Sequence, residues 1–177
     1  DQGTAQIIVK RQWNDGSVKH VVVSGHVTNT IAAGGSQAIQ IAAGTPTGGT
    51  ALTSANIVAA APTASVQCGG IGTVTLTSLL GAAPFRTWVS GPEMVECHYR
   101  APVGTDATLV VWFHVRLYRS GKIWIRAFCE NGYVDKAKAA KTYVPTVTIG
   151  GAAIYNPGTT LSHYSNTRWD IEGWFRG

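Results

Sequence analysis

The stretch TLVVWFHVRLYRSGKIWIRAFCE, residues 108–130, decides the fold class. Two long runs rich in valine, isoleucine and aromatic residues meet at Ser120-Gly121, a turn pair suited to positive φ, so the stretch predicts a β-hairpin. Successive side chains of a strand point to opposite faces. The set on the first arm that is predicted to enter the core is Val111, Phe113, Val115 and Leu117. The set predicted to face outward is Val110, Trp112, His114, Arg116 and Tyr118.

A second hairpin is predicted in RQWNDGSVKHVVVSGHV, residues 11–27, around Asp15-Gly16. An Asp-Gly pair between two β-branched runs is the strongest short hairpin signal in the chain. The loop holds either two residues, or three with a glycine bulge, and the two registers place His20 on opposite sides of the ribbon relative to Trp13. The sequence leaves both registers open. We interpret the apparent Trp-Asp-His cluster as turn chemistry and packing, because nothing in it requires a reaction.

The rest of the chain repeats the strand pattern. Further short runs bounded by Gly, Pro, Asn or Asp are AQIIVKRQ, QAIQIAA, SVQC, GTVTL, MVECHYRA and YVPTVTIG. They predict an all-β fold, an antiparallel sandwich or barrel of about eight to ten strands. At most one or two short helices are expected, the clearest being TSANIVAAA, which begins with Thr53 as its cap. We expect one β-domain over 1–177, excised from a longer chain because it opens without methionine, and residues 164–177 are the possible start of a linker.

Composition excludes several classes of partner. The 177 residues include 14 Lys and Arg against 9 Asp and Glu, a net charge of +5. The basic residues are scattered apart from DKAKAAK (135–141), interpreted as a solvated loop or short helical turn, so nucleic acid is not an expected partner. No run approaches the roughly 20 apolar residues of a membrane helix, so no membrane partner is expected. Cys68, Cys97 and Cys129 are predicted to be reduced core thiols, which favours folding in a reducing cytosol.

One long tract lacks formal charge. Between Val21 and Phe85 the sequence contains no Asp, Glu, Lys or Arg. Disordered segments usually carry charge and few β-branched residues, so packing explains this tract better than disorder. Soluble monomers normally intersperse charge over their surface. We therefore expect contacts with other subunits or self-association.

Metal and nucleophile patterns are weak in this sequence. Cys97 and His98 are adjacent in a predicted strand and point to opposite faces, and no further ligand stands at zinc-site spacing. No GxSxG elbow or phosphate-binding loop is present. The sequence therefore predicts no metal site, no cofactor and no catalytic residue.

Two features of the sequence bear on sugar chemistry, the carboxylate pairs and the outward face of the long hairpin. Glu93 and Glu96 differ in strand parity, whereas Asp170 and Glu172 share it and face one groove in a regular strand. A glycosidase needs two carboxyl groups about 5 to 9.5 Å apart, which the sequence does not establish. The outward face of the long hairpin offers the alternative of sugar binding without catalysis. The candidate carbohydrate-binding residues are Trp112, His114, Arg116 and Tyr118.

Several stretches, taken in order, resemble a known family. WNDGSVKHVVVS is similar to the W-x-DGS-V-(R/K) hairpin of the N-terminal β-barrel domain (RIFT-barrel type) of the exo-rhamnogalacturonan lyase, YetA-like family. RTWVSGPEMVECHYRAPV resembles the strand that follows in that family, with its turn at Gly91 and Pro92. LVVWFHVRLYRSGKIWIRAFCEN resembles the hairpin that ends in Glu130-Asn131. HYSNTRWDIEGWF is similar to the segment that leads towards the next domain.

The resemblance implies a structural module, since its motifs are turns and strand ends. In the enzymes of this family catalysis is attributed to a downstream helical domain, so no catalytic residue carries over. Domains of this type also occur in long proteins of tailed bacteriophages, which the uncharged tract resembles more. The expected function is a non-catalytic structural or host-adsorption domain of a virion tail protein, made in the host cytoplasm, with other virion subunits and a cell-surface glycan as partners. The alternatives are a carbohydrate-binding accessory domain of a secreted polysaccharide lyase and a small glycan-active hydrolase.

Overall fold

The computed structural model describes residues 5–25, 31–38, 49–132 and 140–175. The fold is all-β, as predicted. In the described residues the strands are β1 (Ala5–Gln12), β2 (Val18–Gly25), β3 (Ala64–Cys68), β4 (Gly72–Thr75), β5 (Arg86–Ser90), β6 (Met94–Val103), β7 (Asp106–Tyr118), β8 (Ile123–Asn131), β9 (Lys141–Tyr143), β10 (Pro145–Ile149), β11 (Ala152–Tyr155), β12 (Leu161–His163) and β13 (Thr167–Phe175). The two short helices are α1 (Ser54–Ala60) and α2 (Leu76–Leu79).

The 13 strands exceed the predicted number. Three of them, β9, β11 and β12, have only three or four residues, too few for an alternating pattern to show, whereas β4 falls within the predicted run GTVTL. The predicted strand QAIQIAA lies mostly outside the described residues, as do Lys136 and Lys138 of the lysine-rich segment.

All strand pairs are antiparallel and form four sheets in the described part of the chain. The largest has the order β13-β8-β7-β6-β5, and a four-stranded sheet has the order β11-β10-β3-β4. Two-stranded sheets pair β12 with β9 and β1 with β2. The segment 164–177, predicted as the possible start of a linker, thus contains β13, an edge strand of the five-stranded sheet.

The core joins the five-stranded and four-stranded sheets. Val66 and Val147 of the small sheet belong to the same buried cluster as Val111, Phe113 and Val115 of β7. The predicted core face of β7 is confirmed, since all of its members are buried. The three cysteines are free and buried, which confirms the prediction of reduced core thiols. Burial of this apolar surface is the main stabilising contribution to such a fold.

The predicted helix after Thr53 is confirmed as α1. Thr53 is its N-cap, and its backbone N–H donates to Oδ1 of Asn56 at 2.8 Å. This bond gives the backbone N–H of the cap residue a partner, as in a capping box. Ile57 then places its fully buried side chain in the core.

Both predicted hairpin turns use a glycine with positive φ. Gly121 has a φ of 80°, and the N–H of Tyr118 donates to the carbonyl of Lys122 at 3.0 Å. Gly16 has a φ of 82°, and the N–H of Trp13 donates to the carbonyl of Ser17 at 2.8 Å. Each loop therefore holds three residues with glycine in the left-handed position, which a residue with a Cβ adopts only under strain.

The register of the β1–β2 hairpin combines features of both predicted alternatives. The pairs Ile7–Val23 and Val9–Val21 belong to the three-residue loop. A local irregularity in both strands then places Arg11 opposite His20, which is the pairing that a two-residue loop gives. The register returns to that of the three-residue loop before the turn, since Gln12 pairs with Val18. Outside the irregularity, residues of the two strands therefore stay paired as the three-residue loop requires.

The turn between β5 and β6, predicted at Gly91-Pro92, anchors the β1–β2 hairpin. Gln6 of β1 is buried, and its Oε1 accepts hydrogen bonds from the backbone N–H groups of Glu93 and Met94 at 2.8 and 2.9 Å. Its Nε2 donates to the carbonyl of Met94 at 3.1 Å. A Cβ added at Gly91 would lie 2.3 Å from Cδ of Gln6, so this close approach requires glycine.

Candidate functional site

The four residues predicted to bind carbohydrate lie together on one side of β7. Trp112, His114, Arg116 and Tyr118 are half-buried and alternate with the core residues. We call the side of the five-stranded sheet that points away from the core the outer face. The neighbouring strands contribute to it Trp88, Glu96, His98, Arg100, Trp124, Arg126, Phe128, Glu130, Arg168, Asp170 and Trp174.

The centre of the outer face is a cluster of two histidines, a glutamate and an arginine. His98 of β6 pairs with His114 of β7, and their rings are stacked with centroids 3.6 Å apart. Glu96 lies two residues before His98 and therefore on the same face. Its Oε1 is 2.9 Å from Nε2 of His98, and its Oε2 accepts from Nε of Arg116 at 2.6 Å. Glu96 and His98 are both buried.

Burial sets the charge of this cluster. Burial, followed by the neighbouring His98, lowers the pKa of His114 to about 4, so His114 is neutral at pH 7. Burial by itself would raise the pKa of Glu96. The hydrogen bonds from His98 and Arg116 outweigh burial, so this pKa lies below its ordinary value and Glu96 is ionised.

Aromatic and arginine side chains surround the cluster. The guanidinium of Arg100 lies 3.9 Å from the ring centroid of Phe85 and 5.0 Å from that of Trp112. The indole Nε1 of Trp112 donates to Oε1 of Glu130 at 2.7 Å, and its ring stacks beside Phe128 with centroids 5.8 Å apart. These contacts hold the indole in one orientation while leaving it half-buried.

The opposite end of the outer face carries a similar arrangement. The guanidinium of Arg116 lies 4.4 Å from the ring centroid of Trp124. Tyr118 contacts Trp174 with ring centroids 5.9 Å apart, and Trp174 is 55% exposed. Aromatic and arginine contacts therefore run from β5 to β13.

A groove separates the outer face from the β1–β2 hairpin. Its volume is about 300 Å³. Its lining residues are Val22, Val23, Ser24, Gly25, Trp88, Met94, Glu96, Arg116 and Tyr118. A bulge in β5 at Trp88 turns this indole towards His98, with ring centroids 6.1 Å apart, and Nζ of Lys10 lies 4.5 Å from its centroid. The groove gives a ligand access to the edge of the central cluster.

The tip of the β1–β2 hairpin, in contrast, contains hydrogen bonds that stabilise a turn. Oδ1 of Asp15 accepts from the backbone N–H and the hydroxyl of Ser17 at 2.9 and 2.7 Å. Trp13 is 55% exposed, with Nζ of Lys19 3.8 Å from its ring centroid. His20 lies opposite Arg11. This arrangement agrees with the interpretation of the segment as a turn.

The carboxylates weighed for hydrolysis are spread over the sheet. Glu93 lies in the turn before β6, whereas Asp170 and Glu172 lie on β13. Three strand spacings of roughly 4.8 Å separate β6 from β13, and Asp170 lies four residues of about 3.4 Å each along β13 from Trp174, the position level with Glu96. The two carboxylates are therefore about 20 Å apart. Asp170 forms an ion pair with Arg126, with Oδ2 and the guanidinium nitrogen 2.9 Å apart. Glu96 and Asp170 are therefore too far apart to act together on one glycosidic bond.

The sequence did not indicate that Glu96 and His98 form a cluster with His114. Cys97, the residue considered together with His98 as a metal ligand, has its side chain in the core. The ligand atoms of Glu96, His98 and His114 all lie within 4.8 Å of one another. The shared parity of Glu96 and His98 was a usable signal, but the pairing of β6 with β7 that adds His114 is a long-range relationship.

Comparisons with known proteins identify no relative. No family model matches the chain, and neither a search of curated proteins nor one of solved structures found a match. Within the described residues, neither helix has the length and hydropathy of a membrane-spanning segment.

Proposed function

We propose that the protein is a non-catalytic recognition domain that binds a cell-surface glycan through the outer face and serves host adsorption in a bacteriophage tail protein. The observation that carries the binding role is the concentration of half-buried and exposed aromatic and arginine side chains on this face, from Phe85 and Arg100 at one end to Trp174 at the other. Trp, Tyr and Arg are the residues that dominate binding energies at recognition surfaces.

A sugar suits this face for a physical reason. A pyranose ring has apolar C–H groups on its faces and hydroxyl groups on its rim, so it fits beside an aromatic ring with polar groups around it. Trp112 supplies such a ring, with Glu130 and Arg100 beside it. Because hydrogen bonds and cation–π contacts already fix these side chains, little conformational entropy is lost when a ligand binds.

The placement in a virion is supported by the uncharged tract between Val21 and Phe85, which resembles the tailed-phage versions of this type of domain more than the enzyme versions. An accessory domain of a secreted polysaccharide lyase is the alternative, and it would use the same face. The two differ in the parent protein: further β-modules or a fibre accompany a virion domain, whereas a helical catalytic domain follows in a lyase. The coding sequence on either side of this segment decides between them.

A glycan array tests the binding role directly. We expect the wild-type domain to bind a restricted set of surface polysaccharides, and we expect an Arg100→Ala variant to lose most of that signal. Arg11→Ala, at the tip of the β1–β2 hairpin and away from the outer face, is the matched control. An array without hits would contradict the proposal, and so would equal signals from the Arg100 and wild-type proteins.

A hydrolase remains the least supported alternative. Asp170 and Glu172 lie on the same face of β13, but Asp170 is paired with Arg126. Glycosidase activity lost in both Asp170→Asn and Glu172→Gln variants would favour this alternative over pure binding.

A second candidate function, subunit assembly, is favoured by the β1–β2 hairpin. The side of the hairpin opposite to buried Gln6 carries four exposed apolar residues in register, one of which also borders the groove. They are Ile7, Val9, Val21 and Val23, with exposed fractions of 42%, 46%, 37% and 43%. If this patch joins subunits, light scattering will show an oligomer that a Val9→Lys variant converts to a monomer. A wild-type monomer at high concentration would contradict this role.

A further inference from the structure

Three potential metal ligands meet at the centre of the outer face. Glu96 and His98 lie two residues apart on β6 and share a face, and His114 lies directly opposite His98 on β7. One donor atom from each side chain lies within 4.8 Å of the other two. Two neighbouring strands of a regular sheet thus hold the set in place.

We propose that Glu96, His98 and His114 bind one divalent transition-metal ion, of the class that imidazole and carboxylate ligands prefer, with Zn²⁺ as its representative. Two imidazole nitrogens and one carboxylate oxygen form a recognised donor set for such ions. Three protein ligands leave at least one coordination position for water or a ligand that enters from the groove. This inference goes beyond the proposed glycan binding and does not depend on it.

The distances are compatible with a shared ion. Oε1 of Glu96 and Nε2 of His98 are 2.9 Å apart. Two ligand atoms at that separation, each about 2.1 Å from an ion, subtend an angle of about 90° at the metal. The rings of His98 and His114 are nearly parallel, at an interplanar angle of 10°, so one of them has to turn for both lone pairs to reach the ion. We expect His114 to turn, because it is the less buried of the two.

The surrounding groups suit a carboxylate that binds through one oxygen. Arg116 holds Oε2 of Glu96, which leaves Oε1 for the ion. The stacking of Arg116 on Trp124 fixes the guanidinium that holds this carboxylate oxygen. Hydrogen bonds of this kind orient metal ligands in proteins and tune their affinity. The Nε2 proton that His98 donates to Glu96 has to leave that nitrogen when the ion binds, and it moves to Nδ1 of the same ring. His114 binds through whichever ring nitrogen carries no proton. Coordination therefore transfers no electrons and releases no net proton.

The same surroundings limit the affinity and set the selectivity. Arg116 beside Glu96 and Arg126 opposite His114 are cationic and repel a divalent ion. We therefore expect a dissociation constant for Zn²⁺ of about 1 to 10 μM rather than nanomolar. Ca²⁺ and Mg²⁺ require mainly oxygen ligands, so neither is expected to bind at this cluster.

Calorimetric titration of the untagged, full 177-residue chain with Zn²⁺ tests the proposal. We expect one ion per chain and at least a tenfold loss of affinity in His114→Ala and in Glu96→Gln. His20→Ala, on the exposed β2 strand, is the control and is expected to bind as the wild type does. Circular dichroism establishes that each variant is folded.

A second measurement keeps the test decisive if a variant unfolds. Co²⁺ bound to imidazole and carboxylate gives visible absorption bands, and ring ¹⁵N shifts of the wild-type histidines report directly which rings coordinate Zn²⁺. Shifts at both His98 and His114 support the site. No saturable binding up to about 1 mM Zn²⁺, binding retained in His114→Ala, or ring shifts confined to other histidines would overturn it.

Discussion

The indole nitrogen of Trp112 on β7 donates a hydrogen bond of 2.7 Å to Oε1 of Glu130 on β8. Glu130 is not directly opposite Trp112 in the strand register, so the bond crosses the sheet diagonally. This hydrogen bond and the stacking with Phe128 fix the orientation of the indole. The indole is the largest aromatic group among the predicted binding residues. The proposed binding role therefore depends on Glu130 as a positioning residue.

Glu130→Ala is expected to weaken glycan binding about three- to tenfold while leaving the fold intact, because the indole then samples several rotamers. Glycan affinity and the rotational freedom of the indole, measured by fluorescence anisotropy decay, are the paired readouts. Rescue by Glu130→Gln, whose amide oxygen also accepts the bond, is the control. Unchanged anisotropy decay in the alanine variant would contradict the positioning role.

Gln6→Ala is expected to lower the free energy of unfolding by about 3 kcal/mol, since it leaves buried backbone groups of Glu93 and Met94 without their partner. Urea denaturation measures this. Gln12→Ala, an exposed glutamine on the same strand, should change stability by less than about 0.5 kcal/mol. Equal effects of the two substitutions would show that Gln6 does not anchor the hairpin.

Gly91→Ala tests the same anchor from the other side. The added methyl group collides with the Gln6 side chain, which three hydrogen bonds hold in place. We expect a loss of about 1 to 3 kcal/mol by thermal or urea unfolding. In a Gln6→Ala background the added cost of Gly91→Ala should shrink, because the colliding atoms are gone. Full additivity of the two effects would contradict this account.

Asp106 gives the stability of the fold a specific pH dependence. Burial by itself raises its pKa, but hydrogen bonds from Lys141, Thr108 and the backbone of Leu109 outweigh burial and lower it to about 2. A folded pKa below the unfolded value means that the stabilisation is present above about pH 4 and is lost as the pH falls towards 2.

Asp106→Asn is therefore expected to cost about 1 to 2 kcal/mol at pH 7 and almost nothing near pH 2. The measurement is urea unfolding of both proteins at several pH values. Glu172→Gln, an exposed carboxylate on β13, is the control and should show no such trend. A cost for Asp106→Asn that does not change with pH would contradict the assigned pKa.

The features that could be predicted from the sequence are strand faces and turns, which depend on local patterns of residues. The alternation of apolar and polar side chains along residues 108–118 identified which side of β7 enters the core. This signal lies within a single strand and needs no knowledge of its neighbours. The turns at Gly16 and Gly121 were predictable since only glycine readily adopts their positive φ. Residues 167–175 also alternate and form β13 within the segment 164–177, for which the sequence suggests the possible start of a linker.

Long-range pairing could not be predicted in the same way. That His114 stacks on His98 follows from the register of β6 against β7, which depends on the ten-residue and thirteen-residue strands and the bulge between them. The approach of the β1–β2 hairpin to the outer face depends on Gln6 and a turn 85 residues away along the chain, at Gly91. Neither relationship leaves a periodic signal in the sequence.

The most direct test of the central claim is the affinity of a Trp112→Ala variant for a glycan that the wild-type domain binds. Trp13→Ala, which removes an exposed tryptophan from the hairpin tip, is the matched control. Calorimetry should show at least a tenfold loss for Trp112→Ala and wild-type affinity for Trp13→Ala. Equal affinity of the Trp112 variant and the wild type would contradict the assignment of the outer face as the binding surface.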